Sequence, residues 1–103
     1  MRIVNKKLRT EFSRPGLCEH CEKPCPDGRD PAHIYSRGAG QVDVRKNLVS
    51  LCRLCHTRSH DGHSPRRWRL LIIAARREGC RPKDIRDMVY RIRREDKCNE
   101  WRL

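Results

Sequence analysis

The sequence predicts an α+β chain: four cysteines staple a small strand–strand–helix unit, and two amphipathic helices follow. Three observations carry this. Two C-x-x-C pairs, Cys18/Cys21 and Cys52/Cys55, bracket two strand-like stretches at residues 30–35 and 47–51. Residues 52–60 then read as a helix ending near Asp61-Gly62, where glycine suits the C-cap. From Pro65 onward apolar residues recur at helical spacing: Trp68, Leu71, Ile72 and Ala75, then Ile85, Met88, Val89 and Ile92.

A staple is needed. With 103 residues, 36% of them hydrophobic and 5% aromatic, the chain has little with which to build a core. Seven cysteines are an odd number, so disulfides cannot use them all. No apolar segment follows the charged start MRIVNKKLRT, so no secretory signal is expected. The longest apolar run, residues 70–75, is far short of the ~18–20 residues of a membrane span. A cytoplasmic setting is expected, and in a reducing compartment paired C-x-x-C motifs read as zinc ligands. A structural Zn2+ on Cys18, Cys21, Cys52 and Cys55 is therefore expected, with 30 residues inserted between the two pairs.

Residues 1–17 read as a basic lead-in, with a short helix over Lys6–Phe12 and a turn at Arg14-Pro15-Gly16. Residues 18–64 hold all five histidines and the paired cysteines, with a polar loop from Ser36 joining the strands. Residues 65–103 read as a basic helical extension, in which 13 Lys and Arg face 6 Asp and Glu. Ser64 is expected to cap its first helix, with Pro65 in the first position and Gly79 at the stop; Pro82 opens the second. Trp68 and Trp101 are expected to pack and Asp43 to be loop polarity; His20 and Cys25 are alternative zinc ligands, though a surface His and a spare Cys are expected, and Cys80 and Cys98 are assigned nothing.

Charge points to the partner. Lys plus Arg come to 25 against 13 acidic residues, a net +12, and that excess implies a polyanion, of which nucleic acid is the commonest. Arg45, Lys46, Arg58, Arg66 and Arg67 are the candidate contacts. No membrane partner is expected, since that would want an amphipathic basic helix with exposed apolar residues.

The chemistry-bearing residues lie between the cysteine pairs. His33 falls in the first strand and Asn47 opens the second. His56 and His60 follow at i and i+4, on one helical face, which suits chelation of one ion. His63 reads as a third ligand or as an exposed residue at the helix end. Cys55 and His56 point about 100° apart around the helix, so one short helix can serve both a zinc site and a chemical site.

The run A-H-I…N-L-V-x-L-C-x-x-C-H-x-x-x-H, over residues 18–63, resembles the HNH endonucleases of phage and bacterial type. The resemblance implies a ββα-metal (His-Me) finger with zinc-binding knuckles. It implies that His33 is the general base, that Asn47 holds the loop presenting it, and that His56 and His60 bind a catalytic Mg2+ or another divalent cation. Arg37 matches a basic residue that clamps the scissile phosphate. DNA would be cut to 5′-phosphate and 3′-hydroxyl ends, on recombination intermediates among other substrates, inside a bacterial or phage-infected host cell. A homodimer is the natural form for cutting both strands. The sequence departs from the family at Ala32, where a His or Asp ligand is usual. Asp30 shares that strand face but lies about 7 Å along it, so no ligand role is assigned to it. The alternative is a catalytically silent zinc-finger DNA-binding module.

Overall fold

Asn5 starts the first element. Its Oδ1 accepts the Leu8 amide at 3.0 Å, capping helix α1 (Lys6–Phe12), which buries only Phe12. The computed structural model describes residues 3–35 and 42–101, with side chains as far as residue 94. Strands β1 (Gly16–Leu17) and β2 (Pro24–Cys25) form a short antiparallel hairpin that carries the first cysteine pair. At Gly28, φ is +116° and a Cβ would come within 2.9 Å of the Ser13 carbonyl oxygen, so only glycine fits this close approach.

Strands β3 (Asp30–His33) and β4 (Leu48–Leu51) pair antiparallel, with Ala32 opposite Val49 and His33 opposite Leu48. Both are shorter than the sequence suggests. Tyr35 leaves the ladder because its amide donates to Oδ1 of Asn47 at 3.0 Å, and Asn47 itself sits in a 3-10 turn over Arg45–Asn47. Helix α2 (Arg53–His60) follows β4 directly, with Cys52 as its cap. All four β4 residues are buried, Leu48, Val49 and Leu51 completely. Full burial of each such side chain contributes roughly 1.5–3 kcal/mol.

Helices α3 (Arg67–Glu78) and α4 (Pro82–Trp101) pack on each other and on the Arg45–Asn47 turn, and α3 also packs on β4, closing a core with Leu70, Ala74, Ala75, Ile85 and Val89. Gly79 ends α3 in the left-handed conformation, at φ 70°. Two expectations fail here. Helix α3 starts at Arg67, because Pro65 is buried in the turn before it rather than standing in the first helical position. Trp68 is 62% exposed, and the buried residues of α3 are Leu70, Ala74 and Ala75, of which only Ala75 lies on the expected face. Residues 70–75 are apolar on every side of the helix, so spacing alone does not fix its rotation. Arg77 does. Its Nη1 donates to both Glu19 carboxylate oxygens at 2.8 and 2.9 Å, and its Nη2 to the Arg45 and Leu48 carbonyls at 2.7 and 2.8 Å. Among the described residues no helix is long and apolar enough to cross a membrane.

Candidate active site and metal centre

The β1–β2 hairpin and the start of α2 bring four thiols together. The Sγ atoms of Cys18, Cys21, Cys52 and Cys55 all lie within 4.8 Å of one another, Cys21 and Cys52 at 3.8 Å. A tetrahedral ion with Zn–S bonds of about 2.3 Å needs ligand separations of about 3.8 Å. In each pair the second cysteine's amide points at the first one's sulfur, Cys21 N to Cys18 at 3.5 Å and Cys55 N to Cys52 at 3.4 Å. Burial pushes the Cys18 thiol up, but hydrogen bonds from the backbone of Cys21, Cys52 and His20 prevail and bring it to about 7. Burial pushes Cys55 up, and the neighbouring sulfurs add to that. Four converging thiolates need a cation between them, and the donor set fits Zn2+. His20, expected at the surface, is half-buried with Nδ1 3.5 Å from the Cys55 sulfur.

Next to β3, α2 forms one wall of a cleft of about 830 Å3, lined among others by Ala32, His33, His56, His60, Arg66 and Arg67. His33 ends β3, and its Nε2 lies 2.6 Å from Oδ1 of Asp43. Asp43 is not loop polarity. Its side chain is fully buried, and Oδ2 accepts from Arg9 Nε at 2.6 Å and from the Asn5 amide at 2.8 Å. Burial opposes its ionisation, but the bonds from His33, Asn5 and Arg9 hold its carboxyl below the ordinary value. The signal was there in Val42-Asp43-Val44, a lone carboxylate between two apolar residues just before Asn47. Nothing in the sequence marks Arg9, which also lines the cleft.

His56 is fixed in a similar way. Its Nδ1 is 3.0 Å from Oδ2 of Asp30, which also meets Arg53 Nε at 3.0 Å. Asp30 is not part of the cleft wall and His56 is, so Nε2 is the nitrogen His56 has left to offer an ion. His60 follows one turn on, exposed, its ring centroid 5.4 Å from that of His56. Among the described residues the cysteine quartet is the only group of three or more His, Cys, Asp or Glu whose ligand atoms converge within 4.8 Å. An ion on the cleft histidines would thus take two protein ligands and complete its shell with water and phosphate oxygens.

Asn47, fully buried, ties the two ends of the intervening loop. Its Oδ1 accepts from the Tyr35 amide, and its Nδ2 donates to the Val42 carbonyl at 3.0 Å and the Tyr35 carbonyl at 3.3 Å. Arg37 lies outside the described residues. Arg66 and Arg67 line the cleft, whereas Arg45, Lys46 and Arg58 do not. Arg45 is held by Glu11 at 2.6 Å and Glu78 at 3.4 Å, and Arg58 lines a smaller pocket beside Cys21 and Cys52. His63 is exposed and outside the cleft wall.

Residues 18–62 match the sequence model of the family described as HNH endonuclease. This segment is similar to the HNH endonucleases. No curated protein and no solved structure matches the chain. The HNH segment runs from the first zinc-site cysteine to the end of α2 and contains the thiol quartet, His33, Asn47, His56 and His60. Asp30 and Asp43 lie inside it too, while Arg9, Arg66 and Arg67 reach the HNH cleft from elements before and after it. Endonuclease is the activity for which the matched family is named.

Proposed function

We propose that this chain is a metal-dependent endonuclease that hydrolyses DNA phosphodiester bonds, with His33 as general base and His56 and His60 holding one divalent cation. The observation that supports it is three imidazoles on the wall of one cleft, together with Arg9, Arg66 and Arg67. His33 accepts a proton from water at the ring nitrogen not bonded to Asp43. The water oxygen bonds to phosphorus, the bond to the 3′-oxygen breaks, and that oxygen takes a proton from solvent. The ends left are a 5′-phosphate and a 3′-hydroxyl. When bound, the cation offsets negative charge building on the phosphate and the leaving oxygen. Two imidazoles suit Zn2+ or Ni2+ better than Mg2+. Asn47 fixes the loop between His33 and Asp43, and the three arginines meet backbone phosphates with an affinity that falls as salt rises.

A second reading, the silent DNA-binding module, draws on Ala32. It lies in the cleft wall, 3% exposed, and offers no donor atom. One experiment separates the two. Zinc-loaded protein and His33→Ala are incubated with supercoiled plasmid and with a branched junction, over Mg2+, Mn2+, Ni2+ and Zn2+. Nicking by the wild type that falls about 100-fold or more in His33→Ala supports the nuclease. DNA bound but uncut with every metal establishes the binding module.

A further inference from the structure

We propose that Asp43 is a positioning residue for His33: it holds the imidazole with hydrogen on Nε2, leaving Nδ1 as the proton acceptor, while α1 and its cap hold Asp43. The inference rests on His33 being the base. It is carried by three contacts on a carboxylate with no solvent exposure: His33 Nε2 at 2.6 Å on Oδ1, with Arg9 Nε at 2.6 Å and the Asn5 amide at 2.8 Å on Oδ2. Two of these, the guanidinium and the backbone amide, are donors only. An ionised carboxylate offers no hydrogen of its own. Nε2 must therefore be the donor in the third contact, and this fixes which nitrogen faces the substrate. A buried ionic group is costly unless its partners are all in place. Here the residues that complete the set come from α1 and its cap, before the HNH segment. The N-terminal lead-in thus belongs to the machinery of the base and is more than a basic arm.

The proton path balances on His33 alone. Water gives its proton to Nδ1, the ring becomes imidazolium with Nε2–H still donated to Asp43, and the proton on Nδ1 is later released to solvent. Asp43 stays ionised throughout and takes no proton.

The test has two arms. Long-range 1H–15N correlation of the histidine side chains, on the full-length zinc-loaded protein at pH 8, reads the tautomer directly. His33 is expected with hydrogen on Nε2, and hydrogen on Nδ1 alone would overturn the proposal without any variant. The second arm is Asp43→Asn, whose amide can turn its N–H toward Nε2 and drive the hydrogen to Nδ1. Its nicking kcat is expected to fall about 100-fold or more, with KM and zinc content little changed and the His33 nitrogen pattern reversed. A folded Asp43→Asn with wild-type kcat, beside an inactive His33→Ala, would overturn this inference and leave the nuclease reading intact. Full activity in His33→Ala would instead remove the base assignment on which it rests.

Discussion

The carboxylate of Asp30 lies 3.0 Å from Nδ1 of His56, so a strand residue outside the cleft wall holds a helix residue inside it. A carboxylate on the far nitrogen of a metal-binding imidazole orients the ring and raises its strength as a ligand, and losing it typically weakens metal binding 10–100-fold. Asp30→Ala is accordingly expected to weaken Mn2+ or Ni2+ binding by about 10–100-fold. Calorimetric titration of zinc-loaded protein measures this, with the thiol-bound zinc counted separately. Unchanged affinity in Asp30→Ala would mean that His56 needs no orienting partner.

The thiol quartet joins the β1–β2 hairpin to the start of α2, and Cys52 is both a zinc-site residue and the cap of that helix. Structural zinc binding is worth on the order of 10 kcal/mol or more, comparable with the whole stability of a small domain, about 5–15 kcal/mol. Protein purified under reducing conditions should carry one zinc per chain. Stripping it with a strong chelator, or replacing Cys52 by Ser, should abolish cooperative thermal melting followed by circular dichroism. Metal-free protein that melts like the metal-bound form would show that the thiols are only packing groups.

Asp43 makes stability depend on acid. Burial opposes its charge, but the bonds from His33, the Asn5 amide and Arg9 prevail and lower its pKa in the folded state. A group with a depressed folded pKa contributes stability in full above its unfolded value, about 3.9 for Asp, and loses it as pH falls through the folded value. The stability gap between wild type and Asp43→Asn, from urea unfolding, should be level above about pH 5 and should narrow below about pH 4. The zinc site is common to both proteins and drops out of the difference. A gap that widens on acidification would show a carboxylate that the fold keeps neutral.

Much of this fold was legible because its signals are local. Lys6–Phe12 forms the helix expected of it, and Gly79 ends α3 where its conformational freedom predicts. The cysteine spacing brought four thiols together because a C-x-x-C pair folds around one ion. The cleft was legible in part. His56 and His60 follow from helical geometry, but the partners of His33 and His56 did not. Asp43 reaches His33 only because the chain returns to pair β4 with β3, and Arg9 reaches Asp43 from 34 residues away. Asp30 was set aside on distance along its strand, a measure that ignores how α2 lays His56 across the sheet. Such contacts are set by tertiary packing, and of these residues only Asp43, a carboxylate between two valines, leaves a trace in the sequence.

Trp68 and Leu70 show the same limit in the helical extension and supply its test. The apolar spacing of the sequence puts Trp68 on the buried face, whereas the Arg77 contacts to Glu19, Arg45 and Leu48 rotate α3 so that Leu70 is 2% exposed and Trp68 62%. Leu70→Ala should therefore cost about 2–5 kcal/mol, read from urea unfolding of the zinc-loaded protein. Trp68→Ala should stay within about 0.5 kcal/mol of wild type, as exposed positions do. If Trp68→Ala were the more destabilising change, α3 would have to sit in the other rotation. Arg77 would then face away from Glu19, and Arg77→Ala would cost little as well.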